Sequence, residues 1–233
     1  MVWLPLESNP DVMNKFLEKM GVSSAWKLID VFGLDSEALA WVPRPVLSVI
    51  LLFPCSEKYY EYSLIQQKEI EQKGQEVSPD IFYMKQLISN ACGTIALIHS
   101  IGNNIDRLDI SNDIVKSLFA DAKNLSPIER GNLLQTAAVG RDALHIANMH
   151  QELAKEGQTE LNPNEQVNHH FVTFVHKDGV LYELDGRKEF PINHGATTPD
   201  TLLEDAAKVC KDYIQRESDD VNFTVMALTA AES

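Results

Sequence analysis

The stretch Phe171-Val172-Thr173-Phe174-Val175-His176-Lys177-Asp178-Gly179-Val180-Leu181-Tyr182-Glu183-Leu184-Asp185 decides the fold class. Two runs of β-branched and aromatic residues flank Asp-Gly, a dipeptide that accepts the positive φ angles of a two-residue turn, so the stretch reads as an antiparallel β-hairpin. With that turn, Lys177 pairs with Val180. Counting back along both strands sets His170 opposite Arg187, and Asp185, two residues earlier, shares His170's face on the diagonal. Diagonal Cβ atoms lie ~7–8 Å apart, close enough for an imidazole and a carboxylate to meet. His169 points to the opposite face. A three-residue loop would reverse this parity. Taken singly, a histidine on a half-exposed strand and an aspartate at a strand end are ordinary features.

Working outward, Val46 to Phe53, fenced by Pro45 and Pro54, predicts a buried central strand, and Val221 to Leu228 a last strand. Asn9-Pro10-Asp11 supplies an N-cap, a first-turn proline and an early acid for a helix whose inner face is Val12, Met13, Phe16, Leu17 and Met20, with Gly21 closing it. Ser78-Pro79 predicts a helix through Tyr83 and Leu87, Ser126-Pro127-Ile128-Glu129 a capping box, and Thr198-Pro199 a helix with Leu202, Ala206, Val209, Cys210 and Tyr213 inside. Residues 57–76 are charge-rich and read as a solvated helix or loop. Residues 148–167 read as a polar loop, long enough to be functional rather than idle. Helices, one strand, more helices, then a hairpin, a helix and a strand make an α+β fold, not repeating βαβ units. At this length a single domain over 1–233 is expected.

Asp and Glu outnumber Lys and Arg 34 to 20, a formal net charge of −14. Such a surface repels polyanions, so no nucleic-acid partner is expected, and a basic protein or peptide suits it better. The longest apolar run falls far short of the ~20 residues of a membrane span. Met1 to Glu7 has no basic region followed by an apolar stretch, so neither a membrane partner nor a secretion signal is expected. Three well-separated cysteines, Cys55, Cys92 and Cys210, argue against a disulfide framework and for a reducing compartment, the cytoplasm or else the nucleus. Asn124-Leu125-Ser126 and Asn222-Phe223-Thr224 match the glycosylation pattern but carry no weight without such a signal. HExxH, CxxC, GxGxxG and P-loop patterns are all missing, so no metal and no cofactor are expected.

Gln86-Leu87-Ile88-Ser89-Asn90-Ala91-Cys92-Gly93-Thr94-Ile95 carries the chemistry. Ser89 or Asn90 can cap a helix from Ala91 to about Ile101, with Gly102 past its end. Cys92 then lies in the first turn, where unpaired N–H groups and the helix dipole favour a thiolate and can hold an oxyanion. A cysteine by itself reads more readily as a small buried apolar residue. A nucleophilic thiol needs a base and an orienting acceptor, and the hairpin offers His170 and Asp185. Gln86, six positions before Cys92, could donate an amide N–H to an oxyanion.

On these motifs the chain resembles the ubiquitin C-terminal hydrolase family of cysteine peptidases, close to its small single-domain isozymes, nearly end to end. The resemblance is carried by Trp3-Leu4-Pro5-Leu6-Glu7, Val42-Pro43-Arg44-Pro45, the Gln86–Thr94 segment, Glu156-Gly157-Gln158-Thr159, His170-Phe171, Leu181-Tyr182-Glu183-Leu184-Asp185-Gly186-Arg187 and Pro191-Ile192-Asn193-His194-Gly195. It implies a papain-like α+β fold with a central antiparallel sheet flanked by helices and a knotted backbone. It implies a monomer acting on ubiquitin or a ubiquitin-like protein, releasing small adducts or short peptides from the C-terminal glycine. In the family pattern Cys92 is the nucleophile, His170 the general base, Asp185 the orienting acid and Gln86 an oxyanion-hole donor. The stretch 148–167 maps onto the loop crossing the active site. Pro5, Leu6, Glu7, Asn9, Glu156, Gly157, Gln158, Asn222 and Phe223 map onto substrate-binding positions. Two other readings stay open: a ubiquitin-binding storage protein with low turnover, and an unrelated thiol acyltransferase using the same triad logic.

Overall fold

In the computed structural model of the chain, the described residues are 2–135, 141–157, 168–217 and 222–231. In chain order the elements are α1 (Pro10–Lys19), β1 (Trp26–Asp30), α2 (Ser36–Leu39), β2 (Val46–Pro54), α3 (Glu57–Lys73), α4 (Cys92–Gly102), α5 (Asp113–Ala122), α6 (Pro127–Gln135), α7 (Arg141–Leu153), β3 (His169–Lys177), β4 (Val180–Leu184), β5 (Ile192–Ala196), α8 (Leu202–Arg216) and β6 (Thr224–Ala230). The strands form one sheet in the order β1-β6-β2-β3-β4-β5, every pair antiparallel. Among the described residues no helix is long and apolar enough to cross a membrane.

β2 shows why its sequence is a continuous apolar run. It lies third in the sheet and is covered on both faces, so both sets of its side chains are buried. Leu47 and Ile50 pack into the cluster built with α1, α4, α5 and α7. Val46, Val49, Leu51 and Phe53 pack into the cluster built with α8 on the other face. The register with β6 shifts between Val46 and Ser48. Such a bulge lets consecutive residues, here Leu47 and Ser48, serve one side. Ser48 turns toward α4, its hydroxyl 3.0 Å from that of Ser100.

The hairpin register is the one the Asp-Gly turn requires. Lys177 pairs with Val180 and Thr173 with Leu184. Asp178 and Gly179 both hold positive φ, at 49° and 81°. Helix starts follow their caps where the cap is local. Asn9 Oδ1 accepts from the Asp11 N–H at 2.9 Å, and Ser126 and Glu129 bond each other's backbone N–H groups, closing the capping box.

Three helix expectations need correction. The helix expected from Ser78 through Leu87 does not form. Ser78-Pro79 opens only a turn, and residues 81–84 run extended between two clusters, Ile81 and Tyr83 facing the hairpin, Phe82 and Met84 facing α4. Four consecutive apolar residues fit a segment buried on both sides better than one face of a helix. Its backbone is satisfied from outside. Phe82 N–H donates to Asn103 Oδ1, Met84 N–H to His99 Nε2, and Tyr83 C=O accepts from Arg130. Second, neither Ser89 nor Asn90 caps α4. Ala91 stands at the cap with no side-chain bond, and Asn90, at φ 64°, instead donates its amide to Trp3 C=O. Gly102 is the last residue of α4, not the one past it. Third, α8 begins at Leu202, because Thr198 and Thr201 exchange hydroxyl–backbone bonds and hold a turn first. The elements β1, α2, α5, α7 and β5 have no counterpart in the sequence expectations.

Candidate active site

α4 is buried on all sides except at its last residue, so the first turn of a mostly apolar helix is delivered into the interior beside the sheet. Cys92 opens it and is 5 % exposed. Gly93 allows this close approach: a Cβ there would lie 3.1 Å from Leu6 Cβ. β3 brings His170 alongside, paired with Phe53 of β2. The segment after β4 brings Asp185. His170 Nε2 is 2.6 Å from Asp185 Oδ1, and both side chains are fully buried.

Asp185 is held from three directions. Its Oδ1 also accepts the Arg187 N–H at 2.9 Å, and its Oδ2 accepts from the Tyr59 hydroxyl at 2.6 Å. The Tyr83 hydroxyl donates to its backbone carbonyl at 2.6 Å. With Nε2 committed to Asp185, His170 Nδ1 is left as the nitrogen that serves Cys92. In the resting site it closes no hydrogen bond among the described residues, yet it lies near enough for its charge to act on the thiol.

The electrostatics separate the three cysteines. Burial would raise Cys92, but His170, the Phe171 backbone amide and Arg187 together outweigh it, and the thiol sits below its ordinary pKa. Burial would lower His170, but the Asp185 carboxylate, with the Cys92 sulfur, more than offsets that and lifts it to about 9. Burial acts to raise Asp185, and the opposing charge of His170 keeps it far below the carboxylate range. Cys55, by contrast, is pushed up by burial to about 12, and Cys210 is pushed up strongly by the same cause. Cys92 is therefore the one cysteine here whose surroundings favour a thiolate, and it is paired with a histidine whose surroundings favour the imidazolium.

Gln86 is not at a helix end, since the preceding segment is extended, but the backbone N–H of Gln86 donates to Gly186 C=O at 2.8 Å and ties it to the loop after Asp185. Its Nε2 donates to Ile88 C=O at 3.1 Å. That carbonyl fixes which end of the amide is nitrogen.

A cavity of about 170 Å³ lies over Cys92, bounded among others by Pro5, Leu6, Glu7, Gly157, His169 and Phe171. Of the substrate-binding positions read from the sequence, Pro5, Leu6, Glu7 and Gly157 thus line the same cavity as Cys92. Glu156 stands next to the cavity and pairs with Lys15 of α1 at 2.5 Å. Asn9 caps α1 and borders a separate groove. Asn222 and Phe223 precede β6 and do not line this cavity; Phe223 packs against the cluster around α8. Of the stretch 148–167, residues 148–153 continue α7, 154–157 lead to the cavity rim, and Gln158 to Val167 lie outside the described residues. Tyr59 and the Arg187 N–H were not read as site groups. Tyr59 sits in a segment whose charge marks it as solvated, and only the three-residue step from Ser56, whose hydroxyl caps α3 by accepting the Tyr59 N–H, hinted at its inward turn.

The chain is similar to known proteins over its whole length. The family described as ubiquitin carboxyl-terminal hydrolase, family 1, matches residues 3–215. A ubiquitin carboxyl-terminal hydrolase of Drosophila melanogaster is 48% identical over 232 residues, covering 100% of this chain and 99% of that protein. Ubiquitin carboxyl-terminal hydrolase isozyme L1 of Homo sapiens is 42% identical over 229 residues, covering 97% and 98%. Among solved structures, the Trichinella spiralis UCH37 catalytic domain, bound to ubiquitin vinyl methyl ester, superposes with a TM-score of 0.74 at 23% identity, covering 100% of this chain and 97% of that one. At that identity it speaks to the fold.

Proposed function

The chain belongs to the ubiquitin carboxyl-terminal hydrolases of family 1, cysteine-type deubiquitinating enzymes, and from that premise we propose that Cys92, His170, Asp185 and Gln86 release small adducts and short peptides from the C-terminal glycine of ubiquitin. The observation that carries this assignment is the buried His170–Asp185 contact of 2.6 Å beside the lowered thiol of Cys92.

In the resting pair the sulfur bears the negative charge and His170 the proton. The thiolate attacks the carbonyl carbon of ubiquitin's last glycine, and the carbonyl electron pair moves onto oxygen. The Cys92 N–H has no partner within its own helix, as first-turn N–H groups do not, and can donate to that oxyanion. Gln86 Nε2 carries two hydrogens, and Ile88 C=O takes one, leaving the second for the same oxygen. Collapse expels the leaving group, His170 gives it the proton, and a thioester remains. Water then attacks the thioester, His170 takes a proton from it, and the returning sulfur leaves as thiolate. Asp185 holds the imidazole with Nε2 turned away from the sulfur throughout.

The cavity over Cys92 supports a narrow entrance for the substrate tail. Gly157, the last described residue of the 148–167 stretch, and His169, at the start of β3 just beyond that stretch, both bound it. An entrance bounded by these residues favours small or unfolded leaving groups. Incubation with ubiquitin vinyl methyl ester, followed by peptide mapping, tests the assignment. The expected result is one adduct, on Cys92, with hydrolysis of a ubiquitin fluorogenic amide lost in step. An adduct on Cys55 or Cys210, or hydrolysis surviving full Cys92 modification, would overturn it.

A further inference from the structure

Asp185 has to present one oxygen to His170 in a fixed plane, and its backbone alone cannot do that. The last side-chain torsion of aspartate is broad, so a carboxylate anchored only at Cα and Cβ can turn. Oδ1 takes His170 and the Arg187 N–H. Oδ2 has the Tyr59 hydroxyl, at 2.6 Å, as its one partner among the described residues.

Tyr59 is built to hold that position. Ser56 caps α3 and accepts the Tyr59 N–H at 3.2 Å, so the first turn of α3 is fixed where the tyrosine leaves it. The ring is 4 % exposed and lies against Phe53 of β2, centroids 4.8 Å apart. Phe53 is also the cross-strand neighbour of His170, their rings 5.8 Å apart. One aromatic residue thus spaces the tyrosine from the histidine while Asp185 bonds both.

We propose that Tyr59 is a positioning residue for the hydrolytic reaction, fixing the plane and charge of the Asp185 carboxylate so that His170 faces Cys92 in the productive tautomer. The reading rests on the triad assigned above. A second tyrosine supplies the matched control. Tyr213 of α8 donates to Glu183 Oε1 at 2.8 Å, so it is also a buried phenol on a buried carboxylate of the same sheet face. Glu183, however, has Lys188 and His194 as further partners and does not touch His170.

The test compares Tyr59→Phe with Tyr213→Phe. Tyr59 holds a buried, charged partner, so kcat on a ubiquitin fluorogenic amide should fall at least about tenfold in Tyr59→Phe, with KM unchanged. Tyr213→Phe should lower thermal stability and leave kcat in place. A second measurement needs no substrate: the downfield proton NMR signal of His170 Nε2–H in the resting protein. It should shift and exchange faster with solvent in Tyr59→Phe, and stay put in Tyr213→Phe. If Tyr59→Phe does not fold, a fluorinated tyrosine at position 59, a stronger donor of nearly the same shape, should shift the signal upfield by drawing charge off Asp185. An unmoved signal in the Tyr59 variants, an equal kcat loss in Tyr213→Phe, or a change confined to KM overturns the proposal. If the unaltered protein does not act on ubiquitin substrates, the triad's assigned function fails, while the NMR arm still judges Tyr59.

Discussion

Asp185→Asn is the substitution for which the structure gives the sharpest number. The amide is nearly isosteric. Its oxygen can still accept from two donors, and the Tyr59 hydroxyl, which now faces Asp185 Oδ2, can rotate to accept from the new NH₂ group, so the fold should survive. What disappears is the main charge that, together with the Cys92 sulfur, lifts His170 from 6.5 to about 9 against the opposing effect of burial. At 1.36 kcal/mol per pKa unit, that lift corresponds to roughly 3 kcal/mol, or a few-hundred-fold in the population of the thiolate–imidazolium pair. In the unaltered protein His170 keeps its proton below its raised pKa and loses it as pH rises through about 9, so hydrolysis should fall off on that alkaline limb. In Asp185→Asn the limb should move to lower pH, and kcat/KM at neutral pH should drop by roughly two orders of magnitude. Two assays check this: kcat/KM against pH with a ubiquitin fluorogenic amide, and the rate of Cys92 alkylation by iodoacetamide against pH. The second reports the thiolate directly, with little background because burial raises both Cys55 and Cys210. A neutral-pH loss under tenfold together with an unshifted alkylation profile would refute the coupling of Asp185, His170 and Cys92.

Cys92→Ser should abolish hydrolysis and keep ubiquitin binding, read by calorimetry, whereas Cys210→Ser should keep kcat and lower the melting temperature, since it puts a hydroxyl at a site of 0 % exposure; substantial turnover by Cys92→Ser would rule Cys92 out. His170→Ala should be inactive and His169→Ala should retain kcat with at most a change in KM, because His169 only lines the cavity; an inactive His169→Ala would break the face assignment. His99 and His150 are held neutral by burial, each lowered to about 4. The unfolded chain takes up those protons below about 6.5 and the folded one does not, so stability should decline from pH 6.5 down to about 4, by up to roughly 3 kcal/mol per histidine. A melting temperature flat between pH 6.5 and 4.5 would sink that claim.

The parts of this molecule legible in its sequence are those fixed by neighbours in the sequence. Asp178-Gly179 sets a turn by its own backbone preference, the turn sets the register, and the register puts His170 and Asp185 on one face before any tertiary contact is considered. Asn9, Ser126 and Glu129 cap helices through bonds two or three residues away. The Cys92 helix was legible from its small and apolar residues, though not from its cap.

The illegible parts are satisfied from far away, and they are the parts that place the chemistry. Residues 81–87 carry a helix-like opening and an apolar run, yet their polar backbone is met by Asn103 and His99 of the α4 region, by Arg130 of α6 and by Gly186 beyond β4. A helix would have met those groups internally and pulled Gln86 away from Gly186. The extended course lets one segment brace both the helix that holds Cys92 and the loop that holds Asp185, through the Tyr83 hydroxyl on the Asp185 and Lys188 carbonyls. Tyr59 makes the same point on the other side of Asp185. It lies 126 positions from its partner, in a segment whose charged residues outnumber its buried ones. A carboxylate that must be ionised, desolvated and fixed in plane needs donors from several directions at once. One strand can supply only some of them, so the rest come from elements that local patterning cannot connect to the site.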